Sequence, residues 1–477
     1  MKISLRLLSL TAALLAVVPA QSENLLEIYQ QARISDPLLR EAEANRLATL
    51  EARPQARGAL LPQISATANY EKDKSDGSNV FPQVLTSDIP GVGNAGDIII
   101  ANRKFDGDSK TTSWNVQLRQ TLFRWDQWTR FKQSDKTVAQ AEIDYQAAEQ
   151  DLMIRVAQGY FNVLAAEDTL ASEQAAKESI GRQLEQAQKR FEVGLIAITD
   201  VQEAQAAYDE AVAAEITAKR NLANQREVLR EITGEYTTDL NSPGEQLPLV
   251  EPVPADESQW VETALQQNLA LMSADIGAEI TRDDVTIART GHFPTLDLVV
   301  GRTGVDTTGS QATGIESAIG GSGQLGDPQP TDFNTTQDAI GLQFALPIFS
   351  GGTTSSKVRE AVYRHRASKE RLERVARETE RAARDSYLGV NSEIARVKAL
   401  RQAMESARTA LKATEAGYEV GTRTTVDVLD ARRAVFLAET NYARSRYDYI
   451  INVLQLKQAA GILSPEDMME VNGWLEP

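Results

Sequence analysis

The sequence predicts a mixed fold, with membrane-crossing strands joined to long α-helices that pair as coiled coils, the whole unit being written twice along the chain. Three observations predict it. A phrase near residue 191 returns 227 residues later. Four segments alternate apolar and polar residues. Two stretches, 126–192 and 352–418, read as continuous helix and contain no proline.

The repeat comes first. Phe191-Glu192-Val193-Gly194 matches Tyr418-Glu419-Val420-Gly421, and Asp200-Val201 matches Asp427-Val428, both at an offset of 227. Phe123 lies opposite Phe349 at offset 226, and Pro62 opposite Pro294 at offset 232. A period of over 200 residues is a tandem duplication rather than a solenoid repeat. The units are expected at 23–245 and 255–465, joined by a linker at 246–254 and followed by a tail at 466–477.

Each unit is expected to open with a helix (24–56 in the first), followed by two strands separated by a polar loop. Ile64, Ala66, Ala68 and Tyr70 share one strand face, as do Trp114, Val116, Leu118 and Leu122. In the second unit the faces are Leu296, Leu298, Val300 and then Ile340, Leu342, Phe344, Leu346, Ile348. Ser65, Thr67, Asn69, Gln117, Arg119 and Gln343 lie on the opposite faces. A sheet apolar on one side and polar on the other fits between lipid and water. Segments 71–113 and 301–338 are rich in Gly, Asp and Ser and read as long surface loops. Four strands cannot close a barrel, and open edges are costly in lipid. Three chains would supply about twelve strands, an even number within the usual range.

The helical stretches would each be roughly 100 Å long at 1.5 Å per residue. The return helix of the first unit carries a heptad seam, Val201, Tyr208, Glu215, Leu222, Leu229 beside Ala204, Ala211, Ala218, Gln225, Ile232. The same seam recurs 227 residues on, from Val428 and Ala431. One row is dominated by small residues, which suits close coiled-coil packing.

Residues 1–22 have a positive start at Lys2 and Arg6, an apolar run and small residues before Glu23, the pattern of a secretory signal peptide. The chain has no Cys and therefore no disulfide. Its net charge of −17 argues against nucleic acid as a partner. His292 and His365, the two histidines, are far apart, and no zinc, P-loop or Ser/His/Asp spacing is present, so no enzyme activity, metal or cofactor is expected.

From "ENLLEIYQQARISDPLLR" to "YDYIINVLQLKQAAGILSPEDM" the chain resembles the TolC family of outer-membrane exit ducts of Gram-negative bacteria. "RFEVGLIAITDVQ", "GHFPTLDL", "LPIFSGG" and "GYEVGTRTTVDVLDA" carry the resemblance. It implies a homotrimer with a twelve-stranded transmembrane β-barrel, four strands per chain, continued by a long periplasmic α-helical coiled-coil barrel. It also implies work with a periplasmic adaptor protein and an inner-membrane transporter, in efflux of small molecules and type I protein secretion.

In that frame the repeated phrase is the turn of a helical hairpin at the periplasmic entrance. Gly194 and Gly421 are C-cap candidates, and Thr199-Asp200-Val201-Gln202 reads as a capping box. The resemblance places Thr199, Asp200, Tyr418 and Arg423 at a gate, and Asp427 and Asp430 in a cation-selective ring. It places Val193, Gly194, Leu195, Val420, Gly421 and Thr422 at the tip that meets the adaptor. A trimeric surface adhesin would also combine coiled coil and barrel strands, but would carry its strands at one end of the chain only.

Overall fold

The computed structural model describes residues 23–237, 239–244, 247–317 and 324–476; the expected signal peptide, 1–22, lies outside them. The elements run α1 (Leu25–Ser35), α2 (Pro37–Leu50), α3 (Ala52–Gly58), β1 (Gln63–Val84), β2 (Ile98–Phe123), α4 (Trp125–Glu192), α5 (Ile198–Thr233) and β3 (Ser242–Pro243). The order then repeats with α6 (Glu257–Gln267), α7 (Leu269–Thr290), β4 (Thr295–Ser317), β5 (Gln329–Pro330), β6 (Phe333–Ala345), α8 (Thr353–Glu419) and α9 (Thr425–Ala459). It closes with α10 (Pro465–Asn472) and β7 (Leu475–Glu476), which pairs with β3. No helix among the described residues is long and apolar enough to cross a membrane.

The expected single helix 24–56 is three helices. Pro37 disfavours helical backbone at Asp36, which is extended at ψ 120° and whose carboxylate accepts from Leu39 N–H at 3.0 Å. Asn268 makes the same break between α6 and α7, accepting from Leu271 N–H at 3.0 Å. Asp36 also pairs with Arg155 on α4 at 2.7 Å. Burial pushes its carboxyl up, but the hydrogen bonds from Arg155 and the α2 backbone win and hold it below the usual range.

One of two compact units contains residues 51–136 and 280–365 and holds the sheet. The strands are antiparallel in the order β1-β2-β4-β6. The register aligns Ile64 with Leu118, Ala66 with Val116 and Ala68 with Trp114. It continues Leu118 to Val300 and Val300 to Ile340, and on the next rows Leu298 to Leu342 and Leu296 to Phe344. The apolar residues therefore form one face across all four strands, with Ile64, Ile340 and Leu342 open to the surroundings. A bulge between Thr121 and Phe123 leaves Leu122 unpaired and sets Phe123, not Leu122, opposite Leu296. Strand β6 ends at Ala345, so Leu346 and Ile348 lie beyond the ladder.

The long loops expected at 71–113 and 301–338 are corrected here. The β1–β2 ladder continues without a break to Val84 and Ile98, and the connecting loop is 85–97. The β2–β4 ladder likewise runs out to Ala101 and Ser317. Their polar composition reads as loop because a lipid-facing strand must alternate. A ribbon in water need not, since its ladder is held by backbone bonds and cross-strand pairs such as Thr111–Thr307 and Lys104–Glu316.

The other unit comprises the described residues up to Leu50, Thr137–Glu279 and those from Arg366 on. Its core joins α1, the middle of α4, the ends of α5 and α9, and α10, around Tyr160, Phe161, Ile450 and Met468. Tyr160 donates to the Asn241 carbonyl at 2.7 Å, and Tyr447 to Asp168 at 2.6 Å, so the buried phenols have partners. The seam on α5 is buried or half-buried at every position.

Glu215 is the charged residue in that seam, only 7 % exposed. Lys177 on α4 donates to it at 2.8 Å and Lys219 reaches it at 2.7 Å. Hydrogen bonds from these two ammonium groups hold its carboxyl down to about 2. A carboxyl depressed on folding stabilises the native state above its unfolded value near 4.5, and that stabilisation is lost as pH falls towards 2. Thermal unfolding followed by circular dichroism should therefore fall between those limits in the unmutated protein, and Glu215→Gln should flatten that acid limb. An unchanged limb would mean that Glu215 contributes nothing to it.

Candidate functional site

Both hairpin turns close in the same way. In the first, Leu195 N–H donates to the Arg190 carbonyl at 2.9 Å and Gly194 N–H to Phe191 at 2.9 Å. In the second, Thr422 N–H donates to Gly417 at 2.8 Å and Gly421 N–H to Tyr418 at 3.1 Å. This is the Schellman closure, and it needs the left-handed backbone of Gly194 (φ 76°) and Gly421 (φ 78°). Around these glycines Val193, Leu195 and Val420 stand 70–75 % exposed. Three apolar side chains in water at two adjacent turns form a surface suited to a protein partner.

The helices that leave the turns differ. Thr424 caps α9, its hydroxyl accepting from Asp427 N–H while the Asp427 carboxylate accepts from Thr424 N–H at 2.8 Å. The backbone bond from Thr424, aided by its hydroxyl and by Arg423, holds the Asp427 carboxyl below the ordinary range. The capping box expected at Thr199-Asp200-Val201-Gln202 is absent. Helix α5 starts at Ile198, its cap position is Ala197, and no side chain caps it. Thr199 and Asp200 thus lie inside the first turn, where an acidic group favours the helix N-terminus.

Arg423 lies 4.0 Å from Asp427 of its own helix start, and no bond joins it to Asp200 or Thr199 among the described residues. Tyr418 is held on both sides. The Arg190 guanidinium stands 4.7 Å above its ring, and Thr425 donates to its hydroxyl at 3.4 Å. Asp430, one turn beyond Asp427, is exposed. Further along α9, Arg432 pairs with Glu415 on α8 at 2.8 Å and with the Ser179 hydroxyl on α4, and Arg433 pairs with Glu210 on α5. The two hairpins are therefore cross-linked by cations within one chain.

Arg190, Gly417, Thr424 and Arg432 were not among the sequence candidates. The first three follow from aligning the two copies at offset 227, where Arg190 faces Gly417, Ile196 faces Arg423 and Ala197 faces Thr424. Gly417 matters sterically. A Cβ there would lie 2.8 Å from the Arg423 Cγ, so its absence lets the Arg423 stem fold back over α8.

A family model described as outer membrane efflux protein matches residues 28–235 and 260–462. The chain belongs to the outer membrane efflux protein family. It is 38 % identical over 460 residues to outer membrane protein TolC of Escherichia coli K12, covering 96 % of this chain and 86 % of that protein. It is 28 % identical to the alkaline protease secretion protein AprF of Pseudomonas aeruginosa, over 93 % of this chain and 86 % of that one. The Campylobacter jejuni CmeC outer membrane channel shares the fold, with a TM-score of 0.68 at 18 % identity, over 95 % of this chain and 90 % of its own. This chain is a channel of the Gram-negative outer membrane for efflux and type I secretion, and the adhesin alternative falls.

The caps give a test of the tip. Thr424→Ala should cost about 1 kcal/mol locally, and amide exchange at 425–428 should quicken about fivefold. Ala197→Thr should do the reverse at 198–201, because Asp200 already stands three residues on. Exchange unchanged in both variants would show that the turns, and not the caps, hold the helix starts.

Proposed function

We propose that three copies of this chain close a twelve-stranded barrel, with the helices of the two structural repeats, 23–245 and 255–465, forming a periplasmic duct entered at the hairpin turns. The duct is passive. A periplasmic adaptor docks on the tip formed by Val193, Gly194, Leu195, Val420, Gly421 and Thr422, and an inner-membrane transporter supplies the cargo. Thr199, Asp200, Tyr418 and Arg423 form the gate, with Asp200 and Arg423 meeting across neighbouring protomers.

The observation that carries this reading is the asymmetry between two otherwise equal turns. Only the second copy has an arginine after its turn, a glycine that makes room for it and a capped helix behind it. A hairpin needs none of these, whereas a gate needs a cation held in one place. Asp427 and Asp430 make the entrance ring, and they contribute unequally. Asp427 is committed to its cap and to Arg423, while Asp430 is free to face a passing ion.

Single-channel recording in a planar bilayer tests both parts. Gly417→Ala should displace Arg423 without removing any charge, and Arg423→Ser should remove it; both should raise resting conductance severalfold. Conductance equal to that of the unmutated channel in both would count against a gate here. Block by hexamminecobalt from the periplasmic side should weaken about tenfold in Asp430→Ala and less in Asp427→Ala. The opposite order would place the ring at Asp427.

A further inference from the structure

At the end of the sheet where β2 passes into α4, charged side chains converge on the polar face. Asp297, in the third position of β4, is 2 % exposed. One of its carboxylate oxygens, Oδ2, lies 3.3 Å from Arg119 Nε and 3.3 Å from Arg124 Nη2. Arg119 also donates through Nη2 to Gln343 Oε1 on β6 at 3.0 Å. Two guanidinium groups that would repel one another are thus held together by a single buried carboxylate.

The cluster keeps one net positive charge per chain. A guanidinium has five N–H donors, and the hydrogen bonds here use one on Arg119, to Gln343, and one on Arg124, to Asp297. Their side chains remain 45 % and 32 % exposed. Paired, partly exposed guanidiniums with donors to spare match the planar, bidentate demand of carboxylate and phosphate oxygens. The cluster also runs against the charge of the chain, which is −17 overall.

We propose that Arg119, Arg124 and Asp297 form an oxyanion-binding collar inside the base of the barrel, which holds phosphate or carboxylate groups of solutes as they pass from the helical duct into the strands. The arginines bind, and Asp297 positions them. The inference rests on the duct reading, since only a closed lumen brings the polar face onto the path of solute. Three copies would set six guanidiniums and three carboxylates around the channel.

The test is single-channel current with inorganic tripolyphosphate added on the barrel side, and in a second arm a hexaglutamate peptide. Micromolar to millimolar probe should block the unmutated channel. Arg119→Gln/Arg124→Gln/Asp297→Asn, which removes the buried carboxylate's charge together with its partners and so leaves no unpaired ion, should need about tenfold more probe. Asp297→Asn alone doubles the net charge of the collar and should need less. Block by one probe only assigns the collar to that chemistry. Equal block of a conducting triple variant, or weaker block in Asp297→Asn, overturns the collar while leaving the duct intact. A protein that conducts nothing overturns the duct and the collar with it.

Discussion

The backbone of the sheet's two outer strands governs the rest of the molecule. Strands β2 and β4 are hydrogen-bonded on both sides, but among the described residues β1 and β6 each pair on one side only. Their free edges belong to a sheet whose apolar face spans all four strands, and in hydrocarbon every unpaired N–H or C=O costs several kcal/mol. The chain cannot satisfy those groups itself. Pairing with further strands is therefore a condition of folding in the membrane. Helices α4 and α8 each start within two or three residues of a strand or its trailing apolar segment.

Duplication supplies two nearly equal hairpins, and a few side chains make them different. The turn chemistry is common to both, because a Schellman closure depends on glycine and the backbone alone. What differs sits on the faces beside it. Arg190 packs on Tyr418, Arg423 folds over Gly417, and Arg432 and Arg433 fasten α9 to three other helices. Ionic links near a surface are individually weak, about 1 kcal/mol or less, so these contacts hold the two hairpins together without locking them.

Much of this was legible in the sequence. The two Pro-free stretches became α4 and α8 to within a residue or so, and the alternation of Ile64 to Tyr70 and Ile340 to Phe344 set the lipid-facing side. Long apolar periodicities are strong signals because burial enforces them. The ribbon from Glu71 to Val84 was not legible, because its strand character comes from a partner strand and not from its own composition. The breaks at Asp36 and Asn268 were hidden by an apolar pattern that carries on past them. At the tip, the glycines and acids could be read, but the cap was assigned to Thr199 when Ala197 holds the position. A cap depends on which residue first becomes helical, and the sequence leaves that open by a residue or two.

The polar ribbon separates what is fixed in this part of the sheet from what is free to change. Between Glu71 and Val84 the strand is fastened to β2 by its main chain, residue by residue, and the connecting loop is pinned by Leu85–Asp97 backbone bonds and by Asp88 and Asp97 side chains. Side chains along such a ribbon can change without moving its register. The chemistry that this end of the sheet presents can therefore be rewritten by substitution while the ladder, and the pore built on it, stays as it is.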